Sequence, residues 1–145
     1  PLSVYQVFLP LLRESSGRIV NVGSLAGQAA RQFRGPYTIS KFALEGLSDT
    51  IRMELKLENI SVSMVNPGYI KTEIGTKTLQ MTEAATATTL RKLSDLQKRM
   101  LLSFEDSYRN AFITAPSAEE SSRAILHALS SPTPSARYYP GSCGI

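Results

Sequence analysis

The chain has one cysteine, Cys143, and one histidine, His127, among its 145 residues. A lone cysteine forms no disulfide within the chain, and one histidine with one cysteine makes no ligand cluster, so neither a disulfide framework nor metal chemistry is expected. No apolar run approaches the roughly 20 residues that span a bilayer, and the first residues lack the basic-then-apolar order of a signal peptide. The visible chain is therefore expected to be soluble, with the cytoplasm as the default compartment. The net charge is +4, but Lys and Arg are spread from Arg13 to Arg137 without a long basic run or interleaved aromatics, so no nucleic-acid partner is expected. Asp95, Glu105 and Asp106 supply no carboxylate pair with a second half, which ranks hydrolytic chemistry low. Internal repeats and low-complexity tracts are absent too. What is there, 42% hydrophobic and 19% charged, has the balance of one globular domain or part of one.

Hydrophobic spacing gives the order of elements. Val4, Val7, Phe8, Leu11 and Leu12 recur at helical intervals and predict a helix kinked near Pro10 and stopped at Gly17. Pro1 is not an initiator Met, and Leu2-Ser3-Val4-Tyr5 already reads as the middle of an element, so a longer natural chain is expected. Arg18-Ile19-Val20-Asn21-Val22 is a short β-branched run suited to a strand covered on both faces. After a Gly-rich loop from Gly23 to Pro36, the stretch Tyr37 to Leu57 predicts the longest helix, with Leu44, Leu47, Ile51 and Leu55 on one side. Ile60 to Val65 predicts a second strand, broken by Asn66-Pro67-Gly68. Between Tyr69 and Ala115 the punctuation weakens, and one amphipathic helix is expected from about Ala84 to Leu102, within a lid at about 73–115. Ser117 to Glu120 reads as a capping box opening a helix at Ala118, and Arg137-Tyr138-Tyr139 as a last short strand. Helices alternating with strands imply an α/β fold with a parallel sheet.

Three features carry chemistry. Ser24 lies just past the C-terminal end of a buried strand, Tyr37-x-x-x-Lys41 opens the long helix, and Asn66-Pro67-Gly68 ends the next strand. Residues four apart on a helix are neighbours, with Cβ atoms about 5–6 Å apart, so Tyr37 and Lys41 can act as a unit. That spacing alone is weak, because chance supplies such a pair in roughly one chain in four of this composition. Context adds the rest, since ligands of parallel α/β sheets bind at the carboxyl ends of strands, where all three features gather. Taken singly, Ser24 reads as a loop-capping hydroxyl and Thr72 as an N-cap or turn residue. Asn21, inside a parallel strand, reads as a satisfied core amide, and the Tyr138-Tyr139 pair as packing.

Together these residues resemble the short-chain dehydrogenase/reductase family. Its pattern of a Ser after a Gly-Arg-Ile-Val-Asn-Val-like strand, then Tyr-x-x-x-Lys, then Pro-Gly-x-x-x-Thr is met by Ser24, by Tyr37 with Lys41, and by Pro67-Gly68 with Thr72. The match runs through nearly the whole chain. The 13-residue gap from Ser24 to Tyr37, the helix Ser40 to Leu47, the ending Arg137-Tyr138-Tyr139 and the variable segment after Thr72 look like the steroid- and retinol-dehydrogenase-like branch. The resemblance implies a Rossmann-like, doubly wound parallel sheet of which only the C-terminal half is present. It implies an oxidoreductase interconverting an alcohol and a ketone or aldehyde with NAD or NADP. Tyr37 would be the general acid–base, Lys41 would tune it and hold the nicotinamide ribose, and Ser24 would hydrogen-bond the substrate oxygen. Pro67, Gly68, Ile70 and Thr72 would bind the carboxamide. The chemistry is sound, because a neighbouring ammonium favours the charged form of a phenol and so makes it a usable base.

The pattern is incomplete. The Gly-rich turn that seats the pyrophosphate, the residue that selects NAD from NADP, the Asn-Ala-Gly segment and the helix Asn of the family's tetrad are not in this sequence. The 145 residues are therefore expected, on their own, to be inactive and aggregation-prone, with the Ile19 strand exposing an unpaired edge. Apolar residues of the lid (Leu79, Met81, Leu90, Leu93 and Met100) suggest a lipophilic small-molecule substrate. The family's long helix commonly packs on its copy in a second subunit, implying a homodimer or homotetramer. The alternative is a truncated, non-catalytic family member that works as a binding or oligomerisation module.

Overall fold

A computed structural model describes Pro1–Gly141, so Cys143 lies outside the described residues. Two compact units are present, one formed by Pro1–Gly68 with Glu119–Pro140 and the other by Tyr69–Ala118 with Gly141.

In the first unit, helix α1 spans Leu2–Ser15, strand β1 Arg18–Val22, helix α2 Gly35–Leu55, strand β2 Ser61–Val65, helix α5 Glu119–Ser130 and strand β3 Arg137–Tyr138. Helices α3 (Glu73–Thr89) and α4 (Asp95–Ile113) belong to the second unit. The strands pair in the order β1-β2-β3, all parallel, with Ile19 opposite Val62 and Val65 opposite Tyr138. Parallel neighbours need crossovers, and α2 supplies the one from β1 to β2. Side chains alternate across a strand. Asn21 Nδ2 donates to Ser48 Oγ of α2 at 2.8 Å, whereas Arg18, of opposite parity, donates to the carbonyls of Ala128 and Ser131 at the end of α5. Helices α2 and α5 therefore cover opposite faces, giving the expected doubly wound α/β layering, and Asn21, half-buried, spends its amide nitrogen on α2.

The core lies between α2 and β2, where Ile51, Leu55, Ile60 and Val62 are buried and Tyr5, Leu9 and Leu12 of α1 pack on them with Ile19 and Leu47. Each such side chain stabilises the fold by about 1.5–3 kcal/mol on burial. β2 reads in sequence as alternating small polar and apolar residues, the pattern of a half-wet strand, yet Val62 to Val65 are all buried. Ser63 is tolerated there because its hydroxyl donates to the Ser135 carbonyl at 2.8 Å. β1, expected to be covered on both faces, is only half buried and pairs with β2 alone, so its other side is an open sheet edge. The expected glycine stop of α1 also works differently. Ser16 takes the left-handed conformation, at φ 47°. Gly17 gives a close approach instead, since a Cβ there would stand 3.3 Å from Leu12 Cα and 2.7 Å from Leu12 Cδ2.

The second unit holds α3, Glu73–Thr89, and α4, Asp95–Ile113. The single helix expected from Ala84 to Leu102 is thus two helices parted at Leu93-Ser94. The break has a local cause: Ser94 and Gln97 form a capping box, the Ser94 hydroxyl accepting from the Gln97 amide and the Gln97 side chain from the Ser94 amide. Tyr69 meets Tyr108 and Phe112 of α4 edge-on, with ring centroids 5.5 and 5.3 Å apart. The entering and leaving segments of this unit run side by side, joined by a parallel bridge between Lys71 and Ser117. Among the described residues no helix is long and apolar enough to cross a membrane.

Candidate active site

The C-terminal ends of β1 and β2 are built from glycine and hydrogen bonds. Gly23 continues β1 by donating to the Val65 carbonyl at 2.8 Å, and Leu25 then donates to the Pro67 carbonyl at 3.2 Å. The Ser24 loop and the Asn66-Pro67-Gly68 turn are thereby held edge to edge. Ser24 caps a short 3-10 turn, Leu25–Gly27, its Oγ accepting from the Ala26 amide at 3.2 Å. The capping role is therefore present, but it uses only an acceptor lone pair and leaves the hydroxyl proton for another partner. The turn packs tightly on α2, because a Cβ at Gly27 would stand 2.8 Å from the Lys41 carbonyl oxygen. Only glycine permits that approach.

Helix α2 begins two residues earlier than expected, at Gly35, with Pro36 in its first turn. Tyr37 is 41% exposed. Lys41 Nζ lies 5.6 Å from the Tyr37 ring centroid and donates to the Val22 carbonyl at 3.3 Å, while the Arg34 guanidinium lies 5.5 Å from the same ring. Val22 is two residues before Ser24, so one ammonium links the tyrosine to the strand end that carries the serine. Ser24, Tyr37, Lys41, Pro67 and Gly68 thus belong to one compact unit, around the ends of two parallel strands. Ile70 and Thr72 belong to the other. Thr72 stands at the N-cap position of α3, but its side chain makes no capping hydrogen bond, so the N-cap reading does not account for its hydroxyl. With Lys71, Thr76, Leu79, Phe112 and Ile113 it lines a cavity of about 240 Å³.

Sequence reading missed the polar layer beneath this edge. Tyr37, Lys41, Glu45 and Asp49 recur every four residues along α2, so they form one row on the helix. Glu45 is only 7% exposed. Its carboxylate accepts from Asn66 Nδ2, from Gln28 Nε2 at 3.4 Å and from Arg137 Nε at 3.1 Å. Arg137 also donates through Nη2 to both oxygens of Asp49, at 2.8 and 2.6 Å. The available signal was a mid-helix glutamate in register with Tyr37 and Lys41, and an arginine opening the last strand.

Burial pushes the Asp49 carboxyl up, but hydrogen bonds and positive charge from Arg137 and Arg52 outweigh this and hold it below its ordinary value of 3.8. A carboxyl lowered in the folded state adds stability that is complete above its unfolded value and lost as pH falls through the lower folded one. The melting temperature of Asp49→Asn is therefore expected to lie below that of wild type from about pH 5 upward, with the gap closing below pH 3.8. A gap of constant size in a thermal-melt series down to about pH 2 would show that Asp49 carries no such linkage.

Comparison with known proteins identifies the family. Residues 1–83 match the model of the short chain dehydrogenase family. The mouse mitochondrial D-beta-hydroxybutyrate dehydrogenase is 34% identical over 92% of this chain and 40% of that protein. Human retinol dehydrogenase 5 is 32% identical over 97% of this chain and 46% of that protein. Among solved structures, a 4-hydroxyisoleucine dehydrogenase mutant complexed with NADH and succinate superposes with a TM-score of 0.65 at 25% identity, covering 97% of this chain and 52% of that one. The chain spans less than half the length of these curated relatives. Matched family model, similar sequences and shared Rossmann-like sheet agree: this chain belongs to the short-chain dehydrogenase/reductase family, with likeness to its retinol-dehydrogenase-like branch.

Proposed function

We propose that this chain supplies the catalytic and nicotinamide-side residues of an NAD(P)-dependent oxidoreductase that interconverts a lipophilic alcohol and its ketone or aldehyde, within a longer protein. The observation that carries the reading is the Lys41 ammonium, set beside the Tyr37 ring and tied to the strand end that leads into Ser24. Tyr37 gives a proton to the substrate oxygen or takes one from it. Lys41 places its ammonium beside the ring that carries that proton, a general acid–base arrangement. Ser24 donates its hydroxyl proton to the same substrate oxygen and orients it.

The nicotinamide end of a dinucleotide fits the residues present. Tyr37 is accessible, Lys41 offers donors beyond the one given to Val22, and the Pro67-Gly68 backbone lies at the carboxyl end of a parallel strand, where such ligands bind. Ile70 and Thr72 follow in sequence, with the Thr72 hydroxyl unused by its helix. The glycine-bearing loop that follows the first strand of this chain, Gly23 to Gly27, is the one that carries Ser24, so the residues here answer to one end of the cofactor only. When bound, the nicotinamide supplies or accepts the hydride. Support for a lipophilic substrate comes from the second unit, whose cavity is walled by Leu79, Phe112 and Ile113.

A second reading, a binding or oligomerisation module, is favoured by a different observation. Val7, Phe8 and Leu11 of α1 and Ile39, Phe42 and Met53 of α2 are exposed, a pairing surface of the kind that would suit a homodimer or homotetramer. Fluorescence titration of NADH and NADPH separates the readings. The full-length protein is expected to bind at least one dinucleotide and the 145-residue chain to bind both at least about a hundredfold more weakly, because the pyrophosphate contacts are missing. Absence of binding by the full-length protein would favour the module. Tight binding by the short chain would mean that the cofactor is seated elsewhere.

A further inference from the structure

The polar row on α2 does not end at the proposed catalytic pair. Glu45 lies one turn below Lys41, and its single carboxylate gathers donors from three separate segments: Gln28 at the end of the Ser24 loop, Asn66 at the Pro67-Gly68 turn, and Arg137 on β3. Asn66 has no surface exposure at all. Its orientation is fixed, since the amide nitrogen must face the carboxylate, and Oδ1 is left without a hydrogen-bond partner among the described residues. A fully buried amide with one unsatisfied atom is tolerated only where another strong bond holds it. Here that bond comes from Glu45.

The attachment extends outward from Asn66. Asn66 N donates to the Tyr138 carbonyl at 2.8 Å and Gly68 N to the Pro140 carbonyl at 2.9 Å, while Pro67 O accepts from Leu25 N. The loop carrying Ser24 and the turn carrying Pro67-Gly68 are therefore bonded to each other and, through Gln28 and Asn66, to the same carboxylate.

We propose that Glu45 is a positioning residue, which sets the Ser24 loop and the Asn66-Gly68 turn relative to Tyr37 and Lys41 and thereby fixes the nicotinamide end of the cofactor site. This rests on the proposed oxidoreductase reading. Asp49 is the internal control: it shares Arg137 with Glu45 but has no bond to Asn66 or Gln28. Glu45→Gln keeps an oxygen for the Asn66 amide while giving up the charge on Arg137.

The test compares Glu45→Ala, Glu45→Gln and Asp49→Ala in the full-length protein by amide hydrogen exchange and by NADH and NADPH titration. Glu45→Ala is expected to raise exchange at Leu25 and Gly68 by about tenfold relative to the β1–β2 amides, and to weaken dinucleotide binding by about tenfold, the order set by one charge-assisted hydrogen bond. Glu45→Gln recovers most of both losses. Asp49→Ala changes neither by more than about twofold. Equal effects of Glu45→Ala and Asp49→Ala, or no change at Leu25 and Gly68, would overturn the proposal. If wild type binds neither dinucleotide, the oxidoreductase reading fails by itself, while the exchange pattern still decides whether Glu45 positions these loops.

Discussion

Replacing Tyr37 by Phe is expected to lower kcat for oxidation of an apolar secondary alcohol by about 10²–10⁴-fold in the full-length protein, the range that positioned proton transfer supplies. Phe keeps the ring, its place in the first turn of α2 and its packing against Lys41, so the change removes the hydroxyl alone. Dinucleotide binding falls by no more than about tenfold, since one neutral hydrogen bond contributes about 1 kcal/mol. Melting temperature hardly moves, because a side chain 41% exposed contributes little to the core. Stopped-flow or steady-state reduction of NAD or NADP measures the first effect, and fluorescence titration the second. Unchanged turnover would remove Tyr37 from the chemistry. A full-length wild type that assembles but turns over no alcohol would favour the binding module.

The largest stability effect is expected at Gly23. A Cβ there would fall inside contact distance of Asn66 Oδ1 and 2.7 Å from Met64 Cε. Neither neighbour can easily yield, since Met64 and Asn66 are fully buried and Asn66 is held by Glu45. Nor can Gly23 retreat without losing its bond to the Val65 carbonyl. Overpacking of this kind costs about 1–3 kcal/mol, and the unpaired Asn66 Oδ1 meets a methyl group besides. Gly23→Ala should therefore destabilise by about 3 kcal/mol, or roughly 10 °C in a thermal melt for a domain of this size. A melting temperature within about 2 °C of wild type would show that the strand end has slack the close contacts deny.

Tyr37 and Glu45 mark what sequence could and could not reveal. The placement of Tyr37 beside Lys41 was legible because a helix fixes the spacing of its neighbours, and the strands flanking that helix are short β-branched runs with glycine or proline at their ends. The order of helices and strands in the first unit followed from the same periodicities. Glu45 was not legible, because its importance lies in contacts with Gln28, Asn66 and Arg137, which are up to 92 positions away. Only folding brings them within reach. The split of the second unit into α3 and α4 was missed for another reason. Apolar residues continue across the break from Leu90 to Leu96, and the Ser94-x-x-Gln97 signal that interrupts them is local and polar. The burial of Ser63 is not legible in the alternation of its strand, because its hydroxyl partner, the Ser135 carbonyl, is contributed from 72 residues downstream.

The bridge between Lys71 and Ser117 has an evolutionary consequence. The fifty-residue unit Tyr69–Ala118 closes on itself where it starts and finishes, so its two ends stay together whatever lies between them. Doubling the length of a closed excursion adds only about 0.6 kcal/mol of entropy cost. Helices can thus be lengthened, shortened or exchanged between those two points at little entropic cost, and selection can act on the size of this unit through one continuous part of the gene.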